Sequence, residues 1–223
     1  TPISIVSLIA HVLDPDRGTV LDPACGSGGM FVQSARIVEE HGQVPTARLT
    51  FRGLEKNATT IRLAKMNLAV HGIRANLGET NANTFFSDQH PDLKADFILA
   101  NPPFNQKEWR ADDELTQDPR WSGYDTPSTG NANSAWILHM LSKLSESGTC
   151  AFVMANGSMA SMTKTDGSIR TKLIENDHVE CMIALPSQLF YTVQIPVCIW
   201  ILTKSKKADA KRGYRAREGE VLF

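Results

Sequence analysis

The sequence has almost no net charge and no long apolar run, and each absence excludes a class of protein. Its 223 residues hold 23 basic and 24 acidic side chains, for a formal net charge of −1, which excludes a nucleic-acid binder that relies on bulk charge alone. The longest apolar run near the C-terminus covers residues 195–202, whereas a membrane span needs roughly 20 residues. The first residues carry neither a basic stretch nor a small-residue cleavage site, so we expect no signal peptide.

The cysteine and histidine spacings exclude a disulfide framework and a metal site. Cys25, Cys150, Cys181 and Cys198 have no C-x-x-C spacing, which indicates reduced core thiols in a cytoplasmic protein. The six histidines are scattered without the spacing of metal ligands, so no metal is expected. His139 follows the apolar face of a predicted helix and is expected to be structural.

Short apolar runs alternate with helical patterns along the chain. The predicted strands cover residues 19–21, 49–54, 95–100, 150–155, 179–185 and 197–202. The predicted helices cover residues 28–40, 58–70 and 132–144. Apolar strands that alternate with helices predict an α/β fold, in which a mostly parallel sheet carries helices on both faces.

Residues 106–130 form the longest stretch without a predicted element. The stretch is rich in Asp, Pro, Gly, Ser and Thr, yet it contains Trp109, Trp121 and Tyr124. Loops of this length in a compact domain are usually functional or disordered. These aromatic side chains either contact a substrate or attach the loop to the body of the domain, and the second role is favoured for Trp121.

The run DPACGSGG, residues 22–29, lies at a predicted strand-to-helix junction. Its glycines allow a tight turn and a close approach of ligand to backbone, but the third glycine comes too early for a dinucleotide fingerprint. Asp22 would attract an ammonium group, and the helix N-terminus behind it would favour a carboxylate. Glu55 ends the next strand, where an acid commonly binds ribose hydroxyls.

An amino acid joined to a ribose describes S-adenosylmethionine, so residues 22–29 and Glu55 predict a site for this cofactor. Two simpler interpretations stay open at this point. The glycine-rich run is alternatively a plain tight turn, and Glu55 is alternatively an acid at a helix N-terminus.

The segment Asn101-Pro102-Pro103-Phe104 directly follows the apolar run 95–100. The prolines fix the backbone and remove two amide donors, which leaves the Asn101 side-chain oxygen and the Pro102 carbonyl as acceptors. Both acceptors suit one planar NH₂ group, and Phe104 offers a ring for stacking. An adenine amino group fits, provided that the base is flipped out of a duplex. The alternative is a proline pair that simply ends a strand.

In this order, DPACGSGGMF, GLEKN and ANPPFN resemble the amino-methyltransferases of DNA. Further segments, among them NANSAWILHMLSKL and the stretch around IALPSQLF, resemble the modification (M) subunit of type I restriction–modification systems over nearly the whole chain. The resemblance implies a Rossmann-like methyltransferase fold with a seven-stranded sheet. It also implies transfer of a methyl group from S-adenosylmethionine to the N6 amino group of adenine in DNA.

The resemblance assigns roles to individual residues of this sequence. The residues implied to bind the cofactor are Thr1, Pro2, Ile3, Asp22, Ala24, Gly26, Ser27, Gly28, Gly29, Glu55 and Asn83. The residues implied to be catalytic are Asn101, Pro102, Pro103 and Phe104. Asn83 departs from the Asp of many relatives, which implies a different contact to the cofactor adenine, and a plain turn asparagine is the alternative.

The implied partners are DNA, a specificity (S) subunit, a second M subunit and a restriction (R) subunit, with no membrane. We expect a catalytic domain over residues 1–203 and a basic linker or tail over residues 204–223, either solvated or lying along DNA phosphates. A helical N-terminal region and a C-terminal segment are expected outside this chain, so the fragment alone should bind cofactor but methylate DNA poorly. The alternatives are a protein glutamine N5-methyltransferase, an inactive methyltransferase-fold scaffold and, less favoured, a nicotinamide-dependent dehydrogenase.

Overall fold

The computed structural model describes residues 1–161, 163–190, 194–210 and 213–223. The helices are α1 (Ile3–Leu13), α2 (Gly29–Glu40), α3 (Pro45–Arg48), α4 (Ala58–Val70), α5 (Asn133–Lys143), α6 (Gly157–Ala160) and α7 (Lys164–Glu175). The strands are β1 (Gly18–Asp22), β2 (Leu49–Gly53), β3 (Ala75–Asn76), β4 (Ala95–Ala100), β5 (Leu144–Ala155), β6 (Val179–Ala184) and β7 (Val197–Thr203). A 3₁₀ turn covers Pro119–Trp121.

The strands form one seven-stranded sheet in the order β3-β2-β1-β4-β5-β7-β6. Strand β1 pairs in parallel with β2 and β4, and β2 pairs in parallel with β3. Strands β6 and β7 are antiparallel. The prediction of a seven-stranded α/β sheet is therefore confirmed, with an antiparallel pair at one edge.

The chain divides into two compact units, of which the first comprises Thr1–Pro102 and Thr149–Phe152. Strands β1 and β4 are mostly buried, as is typical of strands that helices cover on both faces. The side chains of Val20, Leu21 and Ile98 are almost completely buried, and the rings of Phe31 and Phe51 lie 5.3 Å apart. Helix α1 packs against α2, and both carry buried apolar residues on one side.

The second unit comprises Pro103–Gly148 and Val153–Phe223. Strand β7 is buried along its whole length, and the indole Nε1 of Trp200 donates to Ser158 Oγ at 2.9 Å. Helix α5 is buried over ten of its eleven residues, His139 among them, as expected of a structural histidine.

The basic stretch after residue 203 differs from the predicted solvated linker. The Lys206 side chain is fully buried, and its Nζ lies 2.6 Å from Asp177 Oδ1. Arg217 pairs with Glu180, and Leu222 forms a parallel bridge with Cys181 in β6. These charges are neutralised against the body of the second unit, which the charge count alone does not reveal. Lys211 and Arg212, also part of the predicted tail, lie outside the described residues.

Candidate active site

The turn between β1 and α2 is held by backbone hydrogen bonds. The amide of Cys25 donates to the carbonyl of Leu54 at 2.9 Å, which ties the turn to the end of β2. Gly26 and Gly28 have φ angles of 54° and 81°, a conformation that strains other residues. The glycine spacing is thus a requirement of the turn itself.

Asp22, the last residue of β1, is 2% exposed. Its Oδ1 accepts a hydrogen bond from the amide of Ala24 at 3.0 Å. Burial raises the pKa of this carboxyl to about 8, with the Ala24 amide opposing the shift and the charge of Glu55 adding to it. A buried carboxyl of this kind is neutral below that pH, and an adjacent cation would favour its ionised form.

Glu55 contacts the turn from the end of the second strand. Its Oε2 accepts from the amide of Gly26 at 3.1 Å, and its Oε1 accepts from the amide of Asn57 at 2.7 Å. The N-cap of α4 is Asn57, whose side chain accepts from the amides of Thr59 and Thr60. Because Asn57 caps the helix, the interpretation of Glu55 as the capping acid is wrong.

The geometry of the turn fits a ligand with an ammonium group, a carboxylate and hydroxyls. A Cβ built on Gly26 or on Gly29 meets no atom within 4 Å, so the turn borders open space at both positions. No side chain of the described residues caps the N-terminus of α2, whose first amides have no partner within the helix and favour an anion. Ser27 is exposed between Gly26 and Gly28. Glu55 lies at the same turn, and an adjacent ammonium group would favour the ionised form of Asp22.

Residues 82–84, which lie between β3 and β4, approach the same turn. The amide of Ala82 donates to the Glu55 carbonyl at 2.8 Å, and the buried Thr84 hydroxyl donates to the Pro23 carbonyl at 2.5 Å. Asn83 lies between them, and its Oδ1 accepts from the amide of Phe85 at 3.0 Å. The turn role that the sequence left open for Asn83 is present. The contact of Thr84 has no signal in the sequence.

Asn101 follows β4 immediately. Its Nδ2 donates to Thr1 Oγ1 at 2.6 Å, so two predicted site residues are in contact. Its Oδ1 is buried and has no hydrogen-bond partner among the residues that the structure describes. A buried acceptor without a partner is costly, and it marks a position where a donor is missing.

Pro2 and Ile3 are placed at the start of α1. The Pro2 carbonyl accepts from the amides of Ile5 and Val6. Ile3 is 69% exposed and lines a surface groove with Val32 and His71, not with residues of the 22–29 turn.

Pro103 and Phe104, the last two residues of the segment Asn101-Pro102-Pro103-Phe104, belong to the second unit. The rings of Phe104 and Phe190 lie 5.4 Å apart, edge to face, so Phe104 already has an aromatic neighbour. Asn105 follows it with a φ of 50°.

The loop of residues 106–130 is internally packed. Trp109 and Trp121 are 4% and 3% exposed, and their indole nitrogens donate to the carbonyls of Ser128 and Leu115 at 2.8 Å each. The two rings meet edge to face. Both tryptophans therefore hold the loop together. The 3₁₀ turn that contains Trp121 also packs against α5, in line with the attachment favoured for Trp121. Tyr124 is half-buried, and its hydroxyl accepts from Asn176 Nδ2 at 3.4 Å.

Two further predictions concern metals and thiols. Within residues 1–161, 163–190, 194–210 and 213–223, no three His, Cys, Asp or Glu side chains cluster as a metal site would require. The four cysteines are buried, and none of them forms a disulfide within the described residues, as predicted. In the same part of the chain, no helix is both long and apolar enough to cross a membrane.

Comparison with known proteins agrees with the motifs. The chain is 50% identical to the HindI type I restriction enzyme methylase subunit of Haemophilus influenzae, over 100% of this chain and 48% of that protein. It is 38% identical to the MjaIX type I methylase subunit of Methanocaldococcus jannaschii, over 100% of this chain and 39% of that protein. The chain thus spans about half the length of these relatives or less.

Solved structures share the fold. A type I restriction–modification methyltransferase subunit from Streptococcus thermophilus superposes with a TM-score of 0.81 at 27% identity, over 92% of this chain and 44% of that one. The EcoKI M protein superposes with a TM-score of 0.76 at 24% identity, over 100% of this chain and 47% of that one. The model of the N-6 DNA methylase family matches residues 1–223, and the chain therefore belongs to the N-6 DNA methylase family.

Proposed function

We propose that this chain is the catalytic part of a type I modification subunit that methylates the N6 amino group of adenine in DNA. The observation that carries the proposal is the buried acceptor Asn101 Oδ1, for which the described chain supplies no donor. An adenine amino group has two N–H bonds to donate. The family match and the type I methylase relatives support the same reaction.

The cofactor of the proposed reaction is S-adenosylmethionine, which when bound supplies an electrophilic methyl group on a positively charged sulfur. Asp22 would hold the ammonium group, and the amides at the start of α2 would hold the carboxylate. Glu55 accepts two backbone amides, yet a carboxylate has about four lone-pair sites. Capacity therefore remains for ribose hydroxyls.

The remaining predicted contacts are part of the same proposal. Ala24, Gly26, Ser27, Gly28 and Gly29 would let the ligand approach the backbone. Asn83 would lie near the adenine of the cofactor, and Thr1, Pro2 and Ile3 would lie near its methionine part. The hydrogen bond from Asn101 Nδ2 to Thr1 Oγ1 supports the proposal that the first residues lie near the reacting atoms.

The chain's own contribution to the chemistry is orientation and charge stabilisation. Asn101 Oδ1 and the Pro102 carbonyl accept hydrogen bonds from the two N–H groups of the flipped adenine's amino group. This orientation directs the nitrogen lone pair toward the methyl carbon. As the nitrogen gains positive charge, the same oxygens stabilise it by accepting hydrogen bonds from its N–H groups, and one of these protons is then released to solvent. Pro103 keeps the segment stiff, and Phe104 stacks on the base.

The proposed partners rest on the type I methylase relatives, and the charge of the chain is consistent with them. The chain carries a net charge of −1, and Lys206 and Arg217 are paired with carboxylates. The chain thus has no excess of positive charge, and these two cations of the segment after residue 203 are already neutralised. We propose that an S subunit reads the DNA, and that a second M subunit and an R subunit complete a cytoplasmic complex.

The proposal is tested with the full-length subunit and its S subunit, supplied with isotope-labelled S-adenosylmethionine. Duplex DNA and a glutamine-bearing protein are offered in parallel, because the alternative enzyme would methylate a glutamine amide. Label in N6-methyladenine supports the proposal. Label only in protein supports the glutamine methyltransferase, and no cofactor binding by calorimetry supports the scaffold.

A further inference from the structure

We propose that Asn133 is a positioning residue for Pro103 and Phe104, the part of the catalytic segment that belongs to the second unit, and that it acts through Asn105. This inference rests on the function proposed above. Asn133 is the first residue of α5 and is 7% exposed. It lies 28 residues from Asn105 along the chain, and no motif of the sequence connects the two.

The two asparagines form a reciprocal pair. The amide N–H of Asn105 donates to Asn133 Oδ1 at 3.1 Å, and Asn133 Nδ2 donates to Asn105 Oδ1 at 2.9 Å. A buried side-chain amide needs partners for both its oxygen and its nitrogen. Asn133 directs both atoms to one exposed residue, which directly follows Phe104.

The backbone of Asn105 needs this support. Its φ is 50°, a left-handed conformation that residues with a side chain adopt rarely, asparagine more often than most. The preceding Pro102 and Pro103 have no N–H groups, so they cannot hold the segment by donating hydrogen bonds. The first hydrogen-bond anchor after the prolines that involves a side chain is therefore the pair of Asn105 with Asn133.

Capping of α5 does not explain Asn133. The N-cap residue Ala132 has no capping side chain, and the amide of Asn133 is bound by Asn131 Oδ1 at 2.9 Å. Asn131 also donates to Asn105 Oδ1 at 3.2 Å, and the Ala132 amide donates to the Gln106 carbonyl at 2.9 Å. The start of α5 thus holds residues 105 and 106, with Asn133 at its centre.

The test uses the full-length subunit in complex with its S subunit. Asn133→Ala removes both bonds and should lower kcat about 10- to 100-fold, because small displacements of reacting groups have effects of this size. The cofactor Kd should stay within twofold. Asn133→Asp keeps an acceptor for the Asn105 amide and should fall between wild type and Asn133→Ala. The fluorescence of 2-aminopurine at the target position should report altered stacking of the flipped base.

A matched control separates positioning from stability. Thr163→Ala removes the N-cap bond of α7, where the Thr163 side chain accepts from the Asp166 amide, and it should lower Tm without lowering kcat. Equal kcat for Asn133→Ala and wild type, or equal kcat losses in Asn133→Ala and Thr163→Ala, would overturn the inference.

A second pair of variants applies where Asn133→Ala does not fold. Asn105→Gly keeps the left-handed backbone but removes the side chain, and it should lower kcat. Asn133→Asp should lower kcat by a smaller factor in the Asn105→Gly variant than in the wild type, because the effects of two interacting residues are not additive. Strict additivity would overturn the inference. A wild-type complex that binds cofactor but methylates no DNA would instead overturn the proposed function.

Discussion

The two halves of the candidate site in the first unit differ in how their polar groups are used. In the turn of residues 22–29, the carboxylates of Asp22 and Glu55 already accept backbone amides. At Asn101, the buried Oδ1 has no partner in the described residues. The turn of residues 22–29 is held in shape by these hydrogen bonds before a ligand binds. The second half, at Asn101, keeps an acceptor for a donor that comes with the substrate.

The largest effect is expected when the unpartnered acceptor, Asn101 Oδ1, is removed. Asn101→Ala should lower kcat by about 100- to 1000-fold, the range observed when one stabilising polar group is removed from an active site. The cofactor Kd should change less than twofold, because the turn does not depend on this side chain. Single-turnover methyl transfer and calorimetry measure the two effects. Loss of cofactor binding with unchanged single-turnover rate would reverse the assignment of the two regions.

The next largest effect is expected in the turn of residues 22–29. Asp22→Asn removes the buried negative charge that we expect to hold an ammonium group, and the Kd for S-adenosylmethionine should rise at least about tenfold, equivalent to roughly 1.4 kcal/mol. Calorimetry on the full-length subunit measures it. Asp16→Asn, an exposed acid paired with Arg17, serves as the matched control and should leave Kd unchanged. Equal Kd values for both variants would contradict the role of Asp22.

The raised pKa of Asp22 predicts how stability and cofactor affinity change with pH. Its pKa is raised from 3.8 to about 8 in the folded protein, so the folded state binds a proton that the unfolded state releases between these values. Stability without ligand should therefore fall as pH rises from about 4 to 8, and Asp22→Asn should remove this slope. Cofactor affinity of the wild type should rise with pH over the upper part of the same range. Denaturant unfolding and calorimetry at several pH values test both signs.

A smaller effect is expected from Thr84, which lies outside the turn of residues 22–29 and donates a hydrogen bond to it. Thr84→Val keeps the volume but removes the hydroxyl that donates to the Pro23 carbonyl, and an unsatisfied buried group costs about 1–3 kcal/mol. The free energy of unfolding should fall by that amount, with a modest rise in cofactor Kd. Thr60→Val on the neighbouring helix is the control and should change stability much less. Unchanged stability in Thr84→Val would mean that the turn holds its shape without this bond.

The smallest effect should come from Asn83. Its Oδ1 bonds the Phe85 amide within a turn, so Asn83→Ala should lower the free energy of unfolding by about 1 kcal/mol. The cofactor Kd should shift less than threefold. A tenfold or larger rise in Kd without loss of stability would show that Asn83 is a direct cofactor contact rather than a turn residue.

The parts of the fold that the sequence predicts are those set by local pattern. The helix at Ala58–Val70 and the strand at Ala95–Ala100 have the predicted bounds, because apolar periodicity and the flanking Asn residues specify them. Strand β3 has only two residues, too few for a periodic signal, and α7 has few buried residues, which weakens its amphipathic pattern.

The site follows the same division. Asp22, Glu55 and Asn101 each lie at or just after the C-terminal end of a strand, and this shared position makes them predictable. Thr84, Asn133 and Lys206 act through partners 61, 28 and 29 residues away. No local pattern encodes such pairs, since they depend on tertiary packing. The composition of the segment after residue 203 likewise does not reveal that Lys206 and Arg217 pair with carboxylates, because these pairs also depend on tertiary packing.

The most direct test of the central claim is a map of modified bases in DNA from cells that express the full-length subunit with its S subunit. The account predicts N6-methyladenine at one recurring sequence, and its loss when the subunit carries Asn101→Ala. DNA without methyladenine in the presence of both intact subunits, or the same map with Asn101→Ala, would contradict it.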